Sequence, residues 1–257
     1  SSNSSDGGSL KSKIAHRLGR LLYGKYVNVK IAPSDLAAEY TFGKKAYENG
    51  AVNILHNAID IDQYGFNADM RRRIRSEFGI SDDITLLGHV GRFMTQKNHA
   101  FLLEVFSEYV KLNEKSALMF VGDGELESAI KQRASELGIF DRIIFTGVRS
   151  DVPSLLSAMD AFVFPSFYEG MPNTVIEAQA AGLPCVISDR ITREADITGL
   201  VKFLPLESPE KWAGETLQVI GTERETPVDS FKKNKYDIES VVDQFTNLIF
   251  ADGVKLC

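Results

Sequence analysis

Cysteine is nearly absent: the 257 residues carry two, Cys185 and Cys257. Two thiols so far apart make neither a disulfide framework nor the paired spacing of a zinc site. Cys185 stands in an apolar run and reads as a small core residue. Histidine is almost as scarce, with four (His16, His56, His89, His99), none at metal-ligand spacing. No obligatory metal is expected. No apolar run is long enough to span a bilayer, and no signal-peptide pattern is visible. A reducing, cytoplasmic compartment is the expectation. Positive charge is not in excess: 29 Lys and Arg face 35 Asp and Glu, a net of −6. No global basic field invites nucleic acid. The single tryptophan, Trp212, reads as core or interhelix packing. What is there, 44% hydrophobic and 25% charged residues, is ordinary for a folded chain. The length suits one large domain, or one domain plus extra pieces.

The first nine residues are Ser/Gly-rich and carry no fold signal. Residues 10–24 place Ile14, Leu18, Leu21 and Leu22 at helical spacing among Lys11, Lys13, His16, Arg17 and Arg20. This is a basic amphipathic helix by pattern. Two uses fit it: packing on a neighbouring domain, or peripheral contact with an anionic membrane surface. Residues 27–32 and 52–55 read as strands, with a short helix over 36–42 between them. A charged helix follows over 70–78.

From residue 84 a regular alternation sets in. Strand patterns at 84–90, 117–121, 143–145, 161–164 and 185–188 alternate with helical patterns at 99–112, 125–137, 152–157 and 174–181. Residues 200–204 read as a late strand, and 209–220 and 238–250 as helices. Residues 227–235 read as charged and irregular. Repeated β-α units with short links predict an α/β fold with a doubly wound parallel sheet. Ligands of such sheets sit at the carboxyl ends of the strands. Here those ends are Gly91-Arg92, Gly122-Asp123-Gly124, Gly147, residues 165–170 and Ser188-Asp189.

The stretch 162–184, FVFPSFYEGMPNTVIEAQAAGLP, concentrates the chemistry. An apolar strand ends at Phe164, a turn runs through Gly170, and a helix begins near Asn173. Unpaired N–H groups and the positive end of the dipole at such a start suit a phosphate or diphosphate. Pro172, with no N–H, fits just before the first turn. Glu169 precedes the helix and Glu177 lies about one turn into it. Carboxylates repel phosphate but accept hydrogen bonds from sugar hydroxyls. The layout suits a ligand with phosphate in the middle and polyols on either side, as in a nucleotide sugar. By spacing alone, a strand–turn–helix with two solvated glutamates remains an equal reading.

Glu169 to Glu177, continued by Ala178 and by Ala181 to Val186, resembles the E-x7-E signature of the family-4 glycosyltransferases, retaining enzymes of GT-B fold. Residues 91–98, with Arg92 and Lys97, resemble the family's G-R-x-x-x-x-K-N/G segment. By themselves two such cations would pass for surface residues. The resemblance implies that Arg92 and Lys97 hold the donor diphosphate and stabilise the leaving nucleotide, with Gly91 beside them. It implies Glu177 on the ribose hydroxyls and Glu169 near the donor sugar, so that Glu169, Arg92 and Lys97 are the catalytic candidates. Gly170, Met171, Pro172, Asn173 and Thr174 would border sugar and phosphates through backbone groups. Thr146-Gly147-Val148-Arg149 resembles the segment bordering the base, where backbone groups of Val148 and Arg149 would read the ring edge. Asp151 is expected to cap the next helix, and Gly122 to Glu125 to form a tight turn with a helix cap.

The resemblance further implies a Rossmann-like, C-terminal half of a GT-B fold. Residues 1–50 would be the tail of an acceptor-side domain, 51–236 the donor-binding domain, and 237–257 a helix crossing back onto the first domain. No cofactor is implied; the donor would be a UDP-sugar or GDP-sugar. The acceptor, a glycan or lipid-linked sugar in capsule or exopolysaccharide assembly, would need the first domain. The chain is therefore expected to bind donor and to transfer sugar weakly or not at all. A non-catalytic nucleotide-binding or regulatory module of the same fold is the alternative. A dinucleotide enzyme is disfavoured, because the first long strand carries Gly88-x-x-Gly91 rather than G-x-G-x-x-G.

Overall fold

The computed structural model describes residues 29–221 and 224–250. The basic stretch 10–24 and Cys257 lie outside the described residues. Six parallel strands form one sheet: β3 (Thr85–Val90), β4 (Ser116–Val121), β5 (Ile143–Phe145), β6 (Ala161–Phe164), β7 (Cys185–Ser188) and β8 (Val201–Leu204). Their order across the sheet is β5-β4-β3-β6-β7-β8. The chain winds outward from β3 in one direction and then from β6 in the other. The switch between β3 and β6 opens the crevice where an open α/β sheet takes its ligand. Before this sheet come two short parallel strands, β1 (Ile31–Ala32) and β2 (Asn53–Ile54), joined by α1 (Asp35–Phe42) and α2 (Lys44–Glu48).

The central strands are apolar on both faces because helices cover both. Phe162, Phe164, Cys185 and Ile187 point into one core, with Ile74 of α4 (Ala68–Glu77), Leu155 and Leu156 of α7 (Val152–Ala158), and Val175 and Ala178 of α8 (Asn173–Ala180). Ala161, Val163 and Val186 point into the other, with Leu102 of α5 (His99–Leu112), Ile130 of α6 (Glu127–Glu136) and Trp212 of α9 (Pro209–Val219). The period-2 alternation along β6 and β7 thus feeds two separate layers. Trp212 is fully buried, packs edge-on against Phe101 and donates its indole N–H to the Pro205 carbonyl at 2.8 Å. Gly88 has a packing reason: a Cβ there would lie 2.0 Å from the Met159 sulfur.

Three expectations need correction. Residues read as irregular beyond Pro227 form α10 (Val228–Lys233), whose Phe231 is fully buried in a third cluster with Ile59, Met171, Ile176 and Tyr236. Two apolar residues, Val228 and Phe231, are too few to set a period. Asp151 does not cap α7 through its side chain; the carboxylate is held instead by Arg149, Nε to Oδ1 at 2.8 Å. The turn at 122–125 carries no side-chain cap either, because α6 begins later, after Leu126. The charged helix α4 also hides a buried cation. Arg75 donates to the Ala158 and Ser81 carbonyls and pairs with Asp160, while Arg71 donates to Ala158, Met159 and Asp160. Guanidinium groups at the carbonyl end of α7 are favoured by its dipole.

The last helix, α11 (Ile238–Phe250), buries no residue fully. At its root Ile59 pairs with Asp237 in a parallel bridge, and a short α3 (Ile61–Tyr64) begins two residues after Ile59.

Candidate functional site

Three strand ends are stitched into one rim by main-chain hydrogen bonds. The Gly91 N–H donates to Val121, Phe93 to Asp123 and Gly122 to Gly147, at 2.9, 2.8 and 2.9 Å. The loops lie so close that side chains are excluded at two glycines. A Cβ on Gly122 (φ +135°) would meet the Gly91 carbonyl oxygen at 2.4 Å, and one on Gly124 (φ +154°) the Phe93 oxygen at 2.6 Å. Both backbones also occupy the region that favours glycine.

The same rim reaches across the crevice to the loop after β6. Phe167 N–H donates to the Gln96 carbonyl at 2.9 Å, and the Gln96 amide donates to the Tyr168 carbonyl at 2.8 Å. One residue further on, Lys97 Nζ meets Glu169 Oε1 at 2.8 Å, with side chains only 15% and 10% exposed. The ammonium also lies 4.6 Å from the centre of the Phe164 ring. Residues expected on the diphosphate and on the donor sugar are therefore in direct contact. Arg92 is exposed, and no hydrogen bond or ion pair holds its side chain among the described residues.

Under Lys97 lie two buried imidazoles, His89 on β3 and His99 at the start of α5, 4.8 Å apart. His89 Nδ1–H donates to the Val163 carbonyl at 2.9 Å. Burial, then the neighbouring His99, hold His89 well below the usual imidazole range. Burial and Lys97 push His99 down to about 4. Two neutral rings leave Lys97 as the cation of this corner.

The helix α8 starts at Asn173, immediately after Pro172, and no side chain caps its first turn. In that first turn the Asn173 N–H donates to the Met171 carbonyl at 3.1 Å and the Val175 N–H to the Pro172 carbonyl at 2.9 Å. Asn173 is exposed and its side-chain Oδ1 accepts from the Asn57 amide at 3.1 Å. Met171 and Pro172 are buried, Met171 against Tyr236. One turn on, Glu177 is half-buried and makes no ion pair among the described residues. Burial raises its carboxyl above the usual range, and the nearby Tyr64 hydroxyl counters part of that rise. At the rim by β5, Val148 is 71% exposed. The Arg149 side chain is committed to Glu77 and Asp151 at 2.7 and 2.8 Å, which leaves the main chain of 148–149 as the free surface.

The structure thus gathers Gly91, Lys97, Glu169 and the loop to Asn173 on one edge. Arg92 and Val148 lie on the loops after β3 and β5, and Thr174 and Glu177 within α8, none of them hydrogen-bonded to that pair. Gln96, Tyr64 and the two histidines were not singled out from sequence. Gln96 lies inside the matched segment, at a position with no fixed residue type. No metal-holding group of three or more His, Cys, Asp or Glu side chains occurs among the described residues.

A family model described as "Glycosyl transferases group 1" matches residues 84–222. EpsF of Bacillus subtilis (strain 168), named as a glycosyltransferase, is 36% identical over 182 residues, which is 70% of this chain and 47% of EpsF. The UDP-Gal:alpha-D-GlcNAc-diphosphoundecaprenol alpha-1,3-galactosyltransferase of Escherichia coli is 31% identical over 144 residues, 54% of this chain and 36% of the relative. The chain therefore spans about half of EpsF, by 47%, and less of the second relative. Among solved structures, Anabaena Alr3699/HepE in complex with UDP and glucose superposes with a TM-score of 0.76 at 18% identity, covering 93% of this chain and 67% of that one. At that identity the likeness concerns the fold.

Proposed function

Since this chain belongs to the group 1 glycosyltransferases, we propose that it binds a nucleoside diphosphate sugar along the carboxyl edge of its sheet and belongs to a retaining, family-4 enzyme. The diphosphate lies between Arg92, Lys97 and the first turn of α8. Glu177 accepts from the ribose hydroxyls, Glu169 borders the sugar, and main-chain groups at Val148 and Arg149 border the base. The Lys97–Glu169 contact carries the reading, because it seats a cation and a sugar-type acceptor side by side at an uncapped helix start.

The chemistry follows from charge. As the bond from the anomeric carbon to the phosphate oxygen breaks, negative charge grows on the diphosphate. An Arg fork, a Lys point charge and a helix dipole converge on that charge, and Lys97 reaches it by giving up the Glu169 carboxylate. Such fixed donors stabilise the separating charge more than the ground state. UDP is the favoured nucleotide, since a protein of the same fold is seen with it. The acceptor is a glycan or lipid-linked sugar in polysaccharide assembly, by analogy with the diphosphoundecaprenol substrate in the E. coli relative's name. Groups that bind it come from a second lobe, of which residues 29–50 are a part.

Calorimetry of the 257-residue chain with UDP, GDP and their glucose conjugates tests the site. Arg92→Ala, Lys97→Ala and Glu177→Ala should each weaken binding by about 1–3 kcal/mol, the range for a charged contact. Unchanged affinity in all three variants overturns the assignment.

A further inference from the structure

Residues 165–170, which carry Glu169 from β6 toward α8, form neither helix nor strand. Among the described residues, their main chain is hydrogen-bonded across the crevice to Gln96 alone. The grip has two points. The Gln96 carbonyl accepts from the Phe167 N–H at 2.9 Å, and the Gln96 side-chain amide donates to the Tyr168 carbonyl at 2.8 Å. The next residues in line, Lys97 and Glu169, meet at 2.8 Å. The contacts advance in step: residue 96 holds 167 and 168, and residue 97 holds 169.

The Gln96 side of this seam is fixed by its own turn. Thr95–Lys97 is a single 3-10 turn, in which the Lys97 N–H donates to the Met94 carbonyl at 3.0 Å. Asn98 follows at φ 55° and ψ 45°, in the left-handed region. Apart from Asn98, only Lys235 among the described non-glycine residues has a positive φ. Such a backbone costs least in Asn and persists where the surroundings over-determine it. The Lys97 stem is confined as well: a Cβ on Gly91 would lie 3.3 Å from its Cε. Lys97 therefore keeps its place without the Gln96 amide. The opposite loop does not, since its main chain would then retain one bond, at Phe167. The amide contact is exposed to solvent, where a hydrogen bond adds little to folding. What it removes is the freedom of the Tyr168–Glu169 segment, which ligand binding would otherwise have to remove.

Resting on the donor-site reading above, we propose that Gln96 is a positioning residue that holds the Glu169 loop in register with the diphosphate corner, and so sets how well the site takes the donor's sugar as opposed to its nucleoside diphosphate. Without the amide, Glu169 samples positions away from the sugar, while the phosphates still meet Arg92, Lys97 and the start of α8.

The test is titration calorimetry of the full chain with UDP, UDP-glucose, UDP-galactose and UDP-N-acetylglucosamine. The quantity read is the affinity for the conjugate that wild type binds most tightly, divided by the affinity for UDP. Gln96→Ala removes the amide and keeps the main-chain carbonyl. Its ratio should fall about three- to tenfold, the scale of one net hydrogen bond, while UDP binds no more weakly than before. Gln96→Glu keeps the length but sets an acceptor against the Tyr168 carbonyl. Its added charge opposes the diphosphate of both ligands and cancels in the ratio, which should fall as in Gln96→Ala. A merely structural glutamine would lower the melting temperature and leave the ratio where it was. If Lys97→Ala weakens UDP while both Gln96 variants keep the wild-type ratio, the role of Gln96 is overturned and the donor site stands. If Lys97→Ala leaves UDP binding unchanged, or wild type binds none of the conjugates, the donor-site reading fails and this inference with it.

Discussion

Lys97 and Glu169 come from loops 72 residues apart and meet at 2.8 Å. A nucleoside diphosphate arriving at Lys97 must compete with a carboxylate already there. Glu169→Gln keeps the shape and removes the competitor. UDP should bind that variant a few-fold more tightly, while the added affinity of UDP-glucose over UDP shrinks; paired titrations of the two ligands decide it. Weaker UDP binding in Glu169→Gln would mean that the carboxylate does not oppose the phosphate. The family resemblance pointed to both residues, but not to their neutralising one another, because loop-to-loop distance has no periodic signature. The histidines below were equally silent. His99 ordinarily titrates near 6.5 and is held down to about 4 by burial and by Lys97. Between those values the unfolded chain binds the extra proton, so stability falls as pH drops from about 6.5 toward 4. The difference corresponds to about 3 kcal/mol at full effect. His99→Leu should flatten that part of the stability–pH curve in denaturant titrations; an unchanged slope would place the acid sensitivity elsewhere.

At the scale of elements, the parallel strands were legible because each is a short apolar run between polar turns. β5, β6 and β7 fall on the residues the pattern gives. Helices with a continuous apolar stripe, such as α5, were equally plain. Where burial depends on one side chain, the pattern fails: α10 is tied down by Phe231 alone. Caps failed for a different reason. Asp151 has the right residue type and position, but Arg149 supplies a charged partner two residues away, and a charged hydrogen bond outcompetes a neutral cap. The site edge was readable as a set of glycine-bearing strand ends; its stitching was not. Gly122 carries the sharpest consequence. Adding a methyl group would collide with the Gly91 carbonyl and strain a positive φ. Gly122→Ala should lower stability by about 1–3 kcal/mol and weaken UDP binding as well, since the displaced loop carries Arg92. Gly138→Ala is the control: it also has a positive φ but open space around it, so it should share the strain and spare the binding. Equal loss of UDP affinity in the two variants would show that the rim does not depend on that contact.

Across the whole molecule, stability is unevenly shared. The large body has two cores filled with aromatic and branched side chains on either side of six strands. The small lobe has two strands of two residues, and its buried core is Ala32, Ala38 and Val52. Few buried carbons give little hydrophobic stabilisation, so this lobe leans on its junction. There His56 stacks on Tyr236 with ring centres 4.0 Å apart and bonds to Pro33 at 3.1 Å, and the Asp35 N–H meets Glu194 at 3.4 Å. Burial and the nearby Asp35 raise Glu194, so the seam holds carboxylates in mutual repulsion. Local opening should therefore begin in the lobe. In native-state hydrogen exchange, the Asn53 and Leu55 amides, bonded to Lys30 and Ala32, should exchange at least about tenfold faster than the Phe162 and Cys185 amides of the main sheet. The junction also touches the candidate site, because Asn57 donates to Asn173 at the start of α8. UDP seated at that helix start should slow exchange at Asn173 to Ile176 and leave the lobe's strand amides nearly as fast as before. Uniform protection of lobe and sheet, with or without UDP, would mean that the two parts open as one cooperative unit.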